Sequence, residues 1–254
     1  MSAPKLRALF NQYASAVAFV SVETPSGDQS IGSAFHIGEG VFVTARHVVE
    51  NNKILSVATT HTTMRPLGDG SEAMVVAHRA GRGVVKREAL FHPDKDTDVA
   101  LLLVEGIDAP AVPLGGHLDD WLGDELTLCS VLVMGYPPIP FSKEPLLVAA
   151  TAETNAVVDK YTGGHPHFVL STMARGGFSG GPVLTDFGCA LGLVTESLGR
   201  ADQPAELGYH AVLTVEPIYV CLAHHDIMPK AIHEQWGDGN AEKSFWKRHK
   251  ENRS

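Results

Sequence analysis

The chain has 254 residues, a formal net charge of −9, 44% hydrophobic residues, 25 glycines and 15 prolines. That is enough apolar material for one large core or two small ones, and the glycine and proline content points to many turns. The acidic balance argues against a nucleic-acid binder, and no apolar run reaches the roughly 18 residues that a membrane span needs.

The chain starts with a stretch, Pro4 to Tyr13, that suits a short helical lead-in. Met1 to Val22 makes a poor secretory leader, because Lys5 and Arg7 are followed by only Ala8-Leu9-Phe10 before Asn11-Gln12. Strand-like runs then come at short spacing: Ala16–Val22, Ser33–Ile37, Val41–Ala45, Lys53–Thr59, Ala73–His78, Val84–Leu90 and Val99–Glu105. Residues 107–123 carry Pro110, Pro113 and Gly115-Gly116 and read as a linker. A second set follows: Leu126–Met134, Leu146–Thr151, Phe168–Thr172, Val183–Thr185, Cys189–Thr195 and Tyr209–Val215. After these, Glu216–His225 and Lys230–Trp236 have helical spacing.

The expected fold is all-β, with two antiparallel six-stranded β-barrels and a short C-terminal helix. The expected units are a lead-in at 1–13, a first barrel at 14–106, the linker at 107–123, a second barrel with its helix at 124–226, and a polar, basic extension at 227–254. Residues 240–254 carry five Lys/Arg and two Asp/Glu, a local charge of +3 that leaves −12 on the rest. Cys129, Cys189 and Cys221 are scattered through apolar stretches without a CxxC, which fits reduced, packed thiols. These readings point to an intracellular, cytoplasmic protein.

The segment Gly176-Gly177-Phe178-Ser179-Gly180-Gly181-Pro182 carries the strongest chemical signal. A serine among glycines is open to close approach, and the N–H groups of Gly177 and Ser179 are placed to meet a developing oxyanion. A serine hydroxyl needs a base and an orienting acid to become a nucleophile. His47, directly after the run Val41–Ala45, and Asp98, directly before Val99–Glu105, are the candidates.

In this order, the three segments resemble the trypsin-like, chymotrypsin-fold serine peptidases, and most closely the bacterial HtrA (DegP-like) peptidase domain. The resemblance covers about residues 14–218. It rests on Gly32-Ser33-Ala34-Phe35, Thr44-Ala45-Arg46-His47, Asp98-Val99-Ala100-Leu101, Gly135-Tyr136-Pro137 and Gly177-Phe178-Ser179-Gly180-Gly181-Pro182. It implies Ser179 as nucleophile, His47 as general base, Asp98 as the residue orienting His47, and Gly177 and Ser179 as the oxyanion hole, all in the cleft between the barrels. It also implies a protein or peptide substrate added as a strand along Val194-Thr195-Glu196-Ser197, with no cofactor and no metal. Met173, six residues before Ser179, falls at the base of the primary pocket, with Thr195, Glu196, Ser197 and His210 as further candidates for substrate binding. Met173 argues against a preference for Lys or Arg and points to a small or medium apolar residue before the cut.

The sequence departs from that family in four ways. Phe178 stands where the digestive members carry an aspartate that pairs with a newly cut N-terminus, so the loop from Arg175 to Phe178 needs another support. Arg46 replaces the small residue usual before the histidine, and its cation is expected over the cleft or paired with a nearby acid. No disulfide is evident. The forty or so residues after Val215 are fewer than the PDZ module of full HtrA proteins needs.

Three alternatives stand beside the endopeptidase reading. Gly177-Phe178-Ser179-Gly180-Gly181 also matches the nucleophile elbow of α/β-hydrolases, but a turn and another strand follow it rather than a helix. His165-Pro166-His167 and His224-His225-Asp226 are dense in histidine, yet no metal-binding motif accompanies them. The third is a catalytically quiet peptide-binding module on the same fold, or a peptidase that waits for an activating or targeting partner.

Overall fold

Alternation of side chains along each strand sets the architecture, because successive residues face opposite sides of a sheet. The computed structural model describes residues 3–67, 72–116, 126–140, 142–158, 164–173, 176–198 and 209–235. The first barrel is built from β1 (Val17–Glu23), β2 (Gln29–Gly38), β3 (Val41–Thr44), β4 (Lys53–Leu67), β5 (Glu72–Val85) and β7 (Ala100–Glu105). The order is β3-β2-β1-β4-β5-β7, all antiparallel, and pairing of β3 with β7 closes the ring. The two-residue strand β6 (Leu90–Phe91) sits on β7 as an addition.

The second barrel closes in the order β10-β13-β12-β11-β8-β9. Its strands are β8 (Ser130–Gly135), β9 (Val148–Val158), β10 (His167–Met173), β11 (Pro182–Thr185), β12 (Ala190–Leu198) and β13 (Tyr209–Thr214). In β8, Val131 and Val133 fill the barrel interior while Leu132 and Met134 join a core shared with the first barrel. In β12, Leu191 and Val194 point inward and Leu193 points to the shared core. The two barrels therefore meet through a continuous apolar seam, which gives the cleft above it a rigid floor.

The two ends of the chain cross this seam. Helix α1 (Ala3–Tyr13) leads into β1 but lies against β8 of the second barrel, with Leu6, Leu9 and Tyr13 buried. Lys5 Nζ pairs with Asp186 Oδ2 at 3.1 Å in the β11–β12 turn. Helix α3 (Glu216–His224) follows β13 and also touches β7, and α4 (Lys230–Gln235) packs on β2. No helix among the described residues is long and apolar enough to cross a membrane.

The all-β, two-barrel expectation holds. Several details differ from the sequence reading: β2 begins at Gln29 rather than Ser33, β4 runs to Leu67 rather than Thr59, and β8 begins at Ser130 rather than Leu126. The runs Ala73–His78 and Val84–Leu90 belong to one strand, β5, which continues through Gly81 and Gly83 and stops at Val85. The glycines there are not a turn: a Cβ on Gly83 would lie 2.2 Å from Val104 Cγ1, so the strand needs glycine for close packing. Strand β9 runs to Val158, well past Thr151; there the inward Thr154 is polar and the outward Val157 apolar, which breaks the alternation that marks a strand. A one-turn helix, α2 (Arg46–Val49), follows β3 where the sequence suggests only a strand end.

Candidate active site

Asp98 lies at the end of the loop before β7, and His47 lies in α2 at the end of β3. Pairing of Thr44 with Ala100 brings the two loops side by side. The His47 ring donates from Nδ1 to Asp98 Oδ2 at 2.8 Å, and the His47 backbone N–H donates to Oδ1 at 2.9 Å. The Arg46 backbone N–H lies near enough to help lower the pKa of this carboxyl. Asp98 thus caps the first turn of α2 while gripping its side chain. Burial raises the Asp98 pKa, but the ring hydrogen bond, the His47 charge and the two N–H groups outweigh it and hold the carboxyl below its ordinary value.

Ser179 is placed by backbone contacts with the first barrel. Its carbonyl accepts the Ser33 N–H at 2.8 Å, and the Ser33 carbonyl in turn accepts the Thr44 hydroxyl at 2.7 Å. Gly180 has φ +84°, and a Cβ there would fall 2.1 Å from the Ser33 carbonyl and 2.9 Å from Ala45 N. The Ser179 turn therefore sits directly on the strand end that leads into His47, at a distance only glycine permits. The Ser179 hydroxyl donates to the Thr195 carbonyl at 3.4 Å.

The sequence left open what supports the loop in place of the missing aspartate. Two residues do so. Phe178 is buried in the second barrel's core, with its ring edge-on to His210 at 5.5 Å. The Ser33 hydroxyl donates to the Gly177 carbonyl at 2.6 Å and accepts the Tyr136 N–H at 2.9 Å. Gly177 has φ +90°. Among the described residues neither the Gly177 nor the Ser179 N–H has an acceptor.

Tyr136 ties the barrels together beside this point. Its hydroxyl accepts from Thr60 N at 3.2 Å and donates to the Val17 carbonyl at 3.2 Å, and its ring meets Phe19 edge-on at 5.6 Å. Burial pushes its pKa up, since the ionised form would lose hydration. Sequence reasoning quoted Ser33 and Tyr136 as parts of motifs but gave them no role. Their distant partners leave no signal in the segments that contain them.

The remaining candidates are distributed as follows. The Thr195 hydroxyl donates to the Ala211 carbonyl at 3.4 Å, so the side chain is engaged with the sheet, while its carbonyl faces Ser179. His210 is buried beside Phe178 on β13, paired with Leu170 on one side and Ser197 on the other. The backbones of Met173, Glu196 and Ser197 lie in β10 and β12, and their side chains lie outside the described residues, as does Arg175. Arg46 turns away from the cleft: its residue is 8% exposed and its Nε pairs with Glu50 Oε1 at 3.0 Å.

A substrate strand has an available edge. β12 pairs with β13 from Gly192 to Leu198, whereas on its other side β11 covers only Ala190 to Leu193. Gly180 and Gly181 continue that side as far as Val194. Among the described residues no strand covers it from Thr195 to Leu198. Among the described residues no group of three His, Cys, Asp or Glu side chains is arranged to hold a metal ion.

The model of the trypsin-like peptidase domain family matches residues 32–193. The protein named Protease Do-like 2, chloroplastic, of Arabidopsis thaliana is 30% identical over 192 residues, which are 73% of this chain and 27% of that protein. The active form of the Rv3671c protease from M. tuberculosis superposes with a TM-score of 0.61 at 19% identity, over 88% of this chain and 86% of that one. The HtrA-type protease AlgW with a tripeptide gives a TM-score of 0.58 at 18% identity, over 87% of this chain and 63% of that one.

Proposed function

The chain belongs to the trypsin-like peptidase domain family, and on that premise we propose that it is a serine endopeptidase working through an acyl-enzyme on Ser179. The observation that carries this reading is the double grip of Asp98 on His47, at 2.8 and 2.9 Å, on the same strand end that holds the Ser179 turn. A carboxylate bonded to Nδ1–H fixes the tautomer in which Nε2 is the base. His47 then takes the Ser179 proton as the hydroxyl attacks a peptide carbonyl, and returns it to the departing amine. Water attacks the acyl-enzyme by the same route in reverse. The Gly177 and Ser179 N–H groups serve as the oxyanion hole.

The substrate is a protein or peptide segment. In this reading it adds as a strand along β12 from Thr195 onward, where its backbone competes with the Ser179 hydroxyl for the Thr195 carbonyl. By the family resemblance, Met173, Thr195, Glu196, Ser197 and His210 are the candidates for binding the residue before the cut. The net charge of −9 and three free cysteines fit a cytoplasmic enzyme acting on proteins rather than on nucleic acid or membranes.

A second reading has one observation in its favour. The Ser179 hydroxyl points to Thr195, which suits a quiet peptide-binding module or a peptidase that a partner must switch on. Intact mass after incubation with a fluorophosphonate, on wild type and on Ser179→Ala, separates the two. One adduct on wild type and none on the variant supports the peptidase; no adduct on either supports the quiet module.

A further inference from the structure

We propose that Arg46 is a positioning residue for Asp98, acting as the brace that holds the Asp98 loop against the helix carrying His47; this rests on the peptidase reading above. Arg46 precedes His47, whose backbone N–H meets the Asp98 carboxylate. The Arg46 side chain grips the same loop, reaching back to the residues before Asp98. Nη1 donates to the carbonyl of Asp94 at 2.8 Å and of His92 at 3.3 Å, with that of Thr97 at 3.5 Å. The guanidinium lies over the Phe91 ring at 5.0 Å.

The loop's own polar bonds do not supply this link. The Thr97 hydroxyl and the Asp96 N–H both donate to the Asp94 carboxylate, and the Asp94 N–H donates to His92 Nδ1. These bonds shape the loop from within but do not attach it to α2.

The chemistry is also an expensive way to fill space. Arg46 is nearly buried, and the acid that pairs with it, Glu50, has a side chain 43% exposed. Burying a guanidinium costs desolvation that an apolar side chain of similar length would not incur. What an apolar chain cannot do is fix several carbonyls in one plane, which is the particular capacity of the guanidinium. The titratable groups around it are Glu50, His92, Asp94 and Cys221. Burial pushes His92 down to about 4, so Arg46 faces a neutral imidazole at working pH.

The test is a double-mutant cycle of Arg46→Met and Asp98→Asn, read as the rate of Ser179 phosphonylation between pH 5 and 9. Displacing a catalytic group by about 1 Å can cost about 10²-fold in rate, and Arg46→Met is expected to lose that order. Its acid limb should move to lower pH, because a displaced carboxylate favours the imidazolium less. In the Asp98→Asn background the same change should matter by less than about twofold, since its target is already disabled. Arg46→Lys, which keeps the cation, should fall between.

Folded Arg46→Met labelling at the wild-type rate, or the full loss persisting beside Asp98→Asn, would overturn the proposal and leave the peptidase reading standing. If Arg46→Met does not fold, Arg46→Lys completes the cycle with the same criteria. If wild type itself does not label, the peptidase reading falls first. The brace is then judged by the His47 Nδ1 proton resonance. Arg46→Lys should shift or broaden it, and an unchanged resonance overturns the proposal.

Discussion

Ser33→Ala is the most informative single change, because one oxygen joins the oxyanion loop to both barrels. Its removal leaves two buried groups without that partner, the Gly177 carbonyl and the Tyr136 N–H. Each orphaned group costs about 1–3 kcal/mol, so roughly 2–6 kcal/mol of stability should be lost in total. For a chain of this size that is a fall in Tm of roughly 4–24 °C. The rate should fall as well. Losing one oxyanion donor outright costs about 10²–10³-fold, and a loosened Gly177 should lose part of that, about tenfold or more. Thermal unfolding and fluorophosphonate labelling, run on the same samples, give both quantities. A variant with Tm within about 1 °C of wild type and an equal labelling rate would refute the assignment of Ser33 as the support of this loop.

Other consequences can be checked directly. Gly180→Ala should lose labelling and destabilise by about 2 kcal/mol or more, since φ is +84° and the new methyl meets the Ser33 carbonyl. Gly176→Ala, with open space around its Cβ, should stay within about 0.5 kcal/mol of wild type. Peptidase activity should rise through roughly pH 6–7 as His47 loses its proton, and a flat profile between about 5 and 9 would count against His47 as the base. His92 should make the fold acid-sensitive. Its folded pKa of about 4 lies below the unfolded 6.5, so its contribution is complete above about 6.5 and is lost as pH falls toward 4. The loss is roughly 3 kcal/mol, and urea midpoints of wild type and His92→Asn should converge in slope against pH if another group is responsible.

The fold was largely legible because barrel strands announce themselves locally. Val131 to Met134 is an unbroken apolar run because both of its faces are buried, and Gly and Pro mark the turns between such runs. In β9 beyond Thr151 the inward Thr154 is polar and the outward Val157 apolar, so the alternation breaks and the end is lost. Gly81 and Gly83 read as a break because sequence cannot show that Val104 and Ile107 press against them. The candidates His47, Asp98 and Ser179 are visible for a similar reason: each sits in a short segment with its own signal. Their supports are not. Ser33 acts on a carbonyl 144 residues away and Tyr136 on a strand 119 residues back, and neither contact leaves a local pattern. Arg46 was visible as an oddity, but its direction depends on where loop 91–97 folds.

The same supports explain how a trypsin-like loop can be held without the buried ion pair that a cut N-terminus supplies elsewhere in the family. Here the N-terminal helix lies on the outside of the second barrel, with Lys5 at Asp186, and the position before Ser179 is a phenyl ring in the core. An ion pair of that kind forms only after cleavage and responds to pH through the new amine. A buried ring and a neutral hydroxyl-to-carbonyl bond do neither. The ring packs within the second barrel's core, and the hydroxyl-to-carbonyl bond forms when the barrels dock, because Ser33 lies in the first barrel and Gly177 in the second. The order of the Gly177 turn is therefore coupled to docking of the two barrels through the Ser33 hydroxyl.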